Sequence, residues 1–87
     1  MTLFPNPTRK SAIIAFSTQR NSFVECSIYD AAGKLVKQLY AGRSTMDEVR
    51  ISWNTRDRNG ERVKPGVYFV HLKTATGQNC AKLVITE

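Results

Sequence analysis

Few side chains in this sequence are spaced to do chemistry. Nucleophilic or acid–base work needs a histidine beside a hydroxyl, thiol or carboxylate. His71 is the only histidine. It lies inside the apolar run Gly66–Lys73, where a hydrogen-bonded or solvent-facing ring is the plain expectation. Asp47 and Glu48 are adjacent, but neighbours on a strand face opposite ways and make a poor acid–base pair. Asp57, Asn59 and Glu61 alternate like the first ligands of a calcium loop. No acidic residue falls where that loop would close, and Arg58 and Arg62 oppose a cation. A tight Asn59-Gly60 hairpin of type I′, with φ > 0 at both residues, explains the segment better. Cys26 and Cys80 lack zinc-site spacing, and no G-x-S-x-G, H-E-x-x-H or Gly-rich phosphate loop occurs. The sequence predicts no catalytic residues, no metal and no cofactor.

The two thiols are read by parity. Cys26 shares a face with Val24 and Ile28, so it points inward. If Leu83 and Ile85 point to the core, Cys80 points outward. Free thiols are favoured, and a disulfide would need a bulge that shifts the register. The charge balance is +6, from 13 Lys and Arg against 7 Asp and Glu. Such a balance invites an acidic partner. The cations are scattered along the chain, however, and the densest stretch, Arg56–Lys64, is interrupted by Asp57 and Glu61. A solvated basic surface is expected, with no nucleic-acid function.

The elements that must position these groups are strands. Apolar residues alternate with period two, and turn residues interrupt every 8–12 positions. Ser11–Ser17 sets Ala12, Ile14 and Phe16 on one face, Phe23–Tyr29 sets Val24, Cys26 and Ile28, and Glu48–Trp53 sets Val49, Ile51 and Trp53. Lys34–Tyr40 is shorter and less regular, and Ala41–Asp47 reads as a polar loop. Gly66–Lys73 is apolar on both faces, the mark of a central strand. Thr74–Asn79 reads as a turn at Gly77, and Cys80–Thr86 as the closing strand. Thr2–Phe4, or an edge near residue 62, supplies a seventh. No connection holds a crossover helix, so the sheets are antiparallel, and two packed sheets bury the one-sided strands. Trp53, the sole tryptophan, is expected at the core centre. With 87 residues the chain makes a single domain, residues 1–87, with a thin core. No apolar run approaches the ~20 residues that span a bilayer.

The motif order is more specific. Phe4-Pro5-Asn6-Pro7 precedes the first long strand, followed by Ile28-Tyr29-Asp30-Ala31-Ala32-Gly33-Lys34-Leu35-Val36. Trp53-Asn54, Asp57-Arg58-Asn59-Gly60, Gly66-Val67-Tyr68-Phe69 and Lys82-Leu83-Val84-Ile85 follow. From about Leu3 to Ile85 the chain resembles the immunoglobulin-like domain of the flagellar hook-capping protein. It also resembles the related C-terminal domains of secreted bacterial proteins, including type A sorting domains of the type IX secretion system. The stretch from Trp53 to Gly66 is closer to the hook-capping kind.

This resemblance implies an all-β, immunoglobulin-like antiparallel sandwich of about seven strands. It implies a non-catalytic C-terminal accessory module of an exported protein, acting in secretion sorting, surface attachment or assembly through protein contacts. The implied partners are secretion or surface-assembly machinery and a parent catalytic or adhesin domain N-terminal to this one. Location at the cell surface or outside the cell would follow, with the export signal on the longer precursor. Met1 close before the Pro-Asn-Pro motif fits a fragment excised from such a chain. The recognition motifs carried over are Pro5, Asn6 and Pro7, then Gly33 with Val36, Gly66 with Tyr68, and Lys82 with Leu83, Val84 and Ile85. Each also has a physical role. Pro5 and Pro7 bar this segment from a sheet centre and bring it in extended, Asn6 can bond to nearby backbone, and the Tyr68 hydroxyl can tie down a loop. The alternative reading is a carbohydrate-binding accessory domain of a secreted hydrolase, with Tyr29, Tyr40 and Tyr68 as exposed stacking surfaces.

Overall fold

Alternation of apolar residues sets the strands, and one-sided burial sets the layers. A computed structural model describes residues 1–87. It contains β1 (Thr2–Phe4), β2 (Ala12–Ser17), β3 (Phe23–Asp30), β4 (Leu35–Arg43), β5 (Glu48–Trp53), β6 (Gly66–Thr74) and β7 (Gly77–Ile85), and no helix. One antiparallel sheet has the order β1-β2-β5 and the other β4-β3-β6-β7. The fold is the expected immunoglobulin-like sandwich of seven strands.

The core lies between the sheets. Ala12, Ile14 and Phe16 of β2 and Trp53 of β5 face Val24, Cys26 and Ile28 of β3, Tyr68, Val70 and Leu72 of β6, and Leu83 and Ile85 of β7. Trp53 is buried, and its indole N–H donates to the Arg56 carbonyl at 2.9 Å, so its polar atom is satisfied while its rings fill the centre. Its ring meets the Tyr68 ring edge-on, 6.0 Å between centroids. As its two apolar faces imply, β6 is a central strand, flanked by β3 and β7.

Two strands, β4 and β7, run longer than the sequence reading. β4 continues through Ala41, Gly42 and Arg43, so the polar loop shrinks to residues 44–47. Two register shifts where β3 pairs β4, at Cys26/Ser27 and Ile28/Tyr29, disturb the side-chain period there. β7 starts at Gly77, because β6 and β7 pair out to Thr74–Gly77 around a two-residue turn, Ala75-Thr76. Residues 77–80 are exposed on both faces, so this hairpin projects beyond the packed layers.

The Asn59-Gly60 turn is not type I′. Only Gly60 has positive φ, at 81°, and the Gly60 N–H donates to the Asp57 carbonyl at 3.0 Å. The loop is a type I turn closed by a glycine bulge, and Asp30–Lys34 repeats it, with Gly33 at φ 85° and its N–H on the Asp30 carbonyl at 3.0 Å. In each loop the leading aspartate accepts two backbone N–H groups on Oδ1. The donors are Ala32 and Lys34 for Asp30, and Asn59 and Glu61 for Asp57. These bonds stabilise turns, and they account for the spacing that imitates a calcium loop.

Candidate functional site

Three of the carried-over motifs, Pro5-Asn6-Pro7, Gly66 with Tyr68, and Lys82–Ile85, lie far apart in sequence and meet at β7, whereas Gly33 with Val36 lies across the sheet at β4. Pro5-Asn6-Pro7 leaves β1 as a bend rather than an extended entry, with cis bonds at Phe4-Pro5 and Asn6-Pro7. Asn6 sits against the outer edge of β7. Its Nδ2–H donates to the Lys82 carbonyl at 2.9 Å, and its Oδ1 accepts the Val84 N–H at 3.0 Å. The side-chain amide thus does what a peptide group of a neighbouring strand would do. Thr8 continues the contact in backbone. Its N–H donates to the Val84 carbonyl at 2.9 Å, and the Thr86 N–H donates to the Thr8 carbonyl at 2.8 Å, forming a parallel bridge between Thr8 and Ile85. The Thr8 hydroxyl is buried and donates to the Ser11 carbonyl.

The four motif residues of β7 divide by face. Leu83 and Ile85 are core residues, Val84 is half-buried, and Lys82 is exposed. Gly66 pairs Ile85 at the start of β6, and Tyr68 pairs Leu83 two residues on. Tyr68 points inward. Its hydroxyl donates to the Lys64 carbonyl at 2.5 Å, tying the end of the β5–β6 connection to the strand it feeds. Burial, and secondarily the Asp30 charge, raises the Tyr68 pKa. Val36 packs half-buried against the core, and its carbonyl accepts the Arg58 N–H at 3.2 Å, so the second glycine-bulge loop is tied to β4 just past the first.

Tyr68 is therefore not an exposed stacking surface. Tyr40 is half-buried against the core with its hydroxyl on the Arg43 carbonyl at 2.9 Å, and Tyr29 lies against His71, ring centroids 4.5 Å apart. Cys26 is buried and Cys80 exposed, both free, as parity predicts. Burial pushes the Cys26 thiol from 9.0 up to about 11.

Two features escaped the sequence. Thr55 is fully buried at φ 59°, and its hydroxyl donates to the Lys10 carbonyl at 3.0 Å, linking the β5–β6 connection to the start of β2. A lone threonine after Trp53-Asn54 carries no signal of a partner 45 residues away. The cations, scattered in sequence, are gathered by the fold. Lys34, Arg58, Arg62 and Lys64 line one cavity of about 330 Å³, and Arg9 and Lys10 line the adjoining one with Arg62.

Comparison with known proteins fits this arrangement. No curated protein matches the chain. Two solved structures from Porphyromonas gingivalis resemble it. PorZ, described as an essential bacterial surface component of the type IX secretion system, aligns over 99% of this chain at 26% identity and a TM-score of 0.66. Dimeric latent PorU aligns over 98% at 24% identity, with a TM-score of 0.79, a likeness of fold. The chain spans only 11% and 9% of those two proteins. The sequence profile for the secretion system C-terminal sorting domain matches residues 2–86. Domains of this kind mark proteins exported to the cell surface or the extracellular space, and this chain belongs to the secretion system C-terminal sorting domain family.

Proposed function

We propose that the domain is a non-catalytic C-terminal module of a longer exported protein, and that secretion or surface-assembly machinery recognises the face where Pro5-Asn6-Pro7 meets Lys82–Ile85. The observation that carries this reading is the pair of Asn6 bonds to Lys82 and Val84, which unites the two ends of the motif series in one surface. Gly66 and Tyr68 act behind that face, paired with Ile85 and Leu83, while Gly33 and Val36 shape the far side of the same sheet at β4. The parent domain, catalytic or adhesive, precedes residue 1. Likeness to PorZ supports a type IX route. The three tyrosines do not favour sugar binding, because Tyr68 is in the core.

The test is a periplasmic reporter fused to residues 1–87 in a host that has the secretion system. Asn6→Ala and removal of residues 82–87 are compared with the intact fusion, and thermal melts of the purified domains separate lost recognition from lost folding. Reduced export of a still-folded Asn6→Ala domain supports the reading. Full export of both variants would sink it.

A further inference from the structure

The cavity between the two glycine-bulge loops is lined by four cations and three carboxylates. Lys34 reaches it from the first loop, Arg58 from the second, and Arg62 and Lys64 from the stretch that leads into β6. The side-chain nitrogens of Lys34, Arg58 and Lys64 have no hydrogen-bonded or ionic partner. The chain's single ion pair, Arg20 with Asp47 at 3.8 Å, lies at the other end of the sandwich. Arg62 donates one N–H to the Arg9 carbonyl at 3.4 Å. Of the three carboxylates, Asp30 and Asp57 each commit Oδ1 to backbone N–H groups of their own loop, and none is within ion-pair distance of a cation in the wall. The lining is net positive by one charge, four cations against three carboxylates, and an anion seated at Lys34, Arg58 and Lys64 would pair cations that the carboxylates leave unpaired.

We infer that this cavity binds a compact oxyanion, specifically a phosphate group. Its volume sits at the small end of ligand sites. The loops Asp30–Lys34 and Asp57–Glu61 both line it, and the Arg58 N–H bond to the Val36 carbonyl at 3.2 Å ties the second loop to the start of β4. A cavity of that volume suits a compact group better than an extended acidic peptide. Donors arriving from three stretches of chain match the several acceptor oxygens of phosphate, and the planar Arg58 fork can engage two of them. The inference does not rest on the sorting reading, since the same cavity would bind phosphate in a domain that sorts nothing.

The probe is sodium pyrophosphate, titrated into the ¹⁵N-labelled domain at low ionic strength and followed by amide shifts. Vesicles of phosphatidylglycerol, with phosphatidylcholine vesicles as reference, are the second arm. Shifts at residues 30–36 and 57–64 are expected. Binding should weaken by at least about tenfold in the combined Lys34→Gln, Arg58→Gln, Lys64→Gln variant. It should change by less than about twofold in a variant of equal charge loss at strand positions, Lys37→Gln, Arg50→Gln, Lys73→Gln. Saturable binding of pyrophosphate assigns the site to free phosphate groups. Binding of phosphatidylglycerol vesicles alone, with the same loss in the cavity variant, assigns it to lipid headgroups. Equal weakening in both variants, shifts spread over the whole surface, or binding of hexaglutamate without pyrophosphate would each overturn the inference.

Discussion

Two cysteines of identical chemistry occupy opposite environments. The Cys80 thiol meets solvent near the projecting hairpin, and the Cys26 thiol lies in the core. A disulfide reagent at pH 8 should therefore modify Cys80 alone, with Cys26 reacting only once denaturant opens the sandwich. Two equivalents reacting at one rate under native conditions would contradict the burial of Cys26. The raised Cys26 pKa also sets a direction for stability. The folded thiol holds its proton to about 11, while the unfolded thiol gives it up near 9.0. Above pH 9.0 the unfolded state binds fewer protons, so stability falls as pH rises from 9.0 through about 11. Tyr68, whose pKa is also raised, adds to the same alkaline loss. Urea melts across this window should show a shallower fall in Cys26→Ala than in the parent, and an unchanged slope would refute the assignment. Tyr68→Phe keeps the ring against Trp53 but removes the bond to the Lys64 carbonyl. A loss of about 1 kcal/mol is expected in denaturant melts. The inward direction of Cys26 and the loop-tying role of Tyr68 were legible in the sequence, because parity along a strand is a local property. Thr55 was not, since its burial depends on Lys10, which only the fold brings near.

Elements with one polar face were readable, and elements whose period is broken were not. β3 and β5 alternate between an apolar and a polar face, and with β2 they fall where the sequence puts them. β4 looked short because two register shifts beside it blur its faces, and β7 looked short because its first four residues are exposed on both sides. The glycine-bulge loops were recognised as turns but given the wrong geometry at Asn59. The Asp57 carboxylate, which caps two N–H groups, leaves Gly60 as the one position that must be left-handed. Gly33→Ala and Gly60→Ala should each cost about 1–2 kcal/mol, since alanine at positive φ is strained whatever space surrounds it. In a domain of this size that lowers Tm by roughly 4–8 °C per kcal/mol. Gly42→Ala is the control. It lies within β4, and an added methyl would meet the Tyr40 hydroxyl at 3.8 Å and its ring carbons at 3.9 Å, ordinary contact distances. Its melt should match the parent or rise slightly. Equal losses at all three glycines would refute the turn geometry.

At the scale of the whole molecule, order should follow packing. The amides of Cys26, Ile28, Val70 and Leu72, inside the β3–β6 ladder, should exchange slowest, and those of residues 75–80 fastest. Comparable protection at the hairpin tip and in the β3–β6 ladder would mean that the tip is covered in solution. The layer architecture was legible, because one-sided strands with short connections leave few ways to bury their apolar faces. The convergence of Pro5-Asn6-Pro7 with Lys82–Ile85 followed from no local pattern, and neither did the gathering of cations from three stretches of chain. Both depend on topology, which sets residues 76 to 78 positions apart side by side. The clasp of Asn6 and Thr8 on β7 bears on the order of events during synthesis. A ribosome delivers residues 1–76 first, and by then β6 has one flank bare and the core lacks Leu83 and Ile85. The early segment has its acceptor only when residues 82–86 emerge. Closure is thus a late, all-or-none step, and a nascent chain interrupted before Lys82 would stay open to proteolysis.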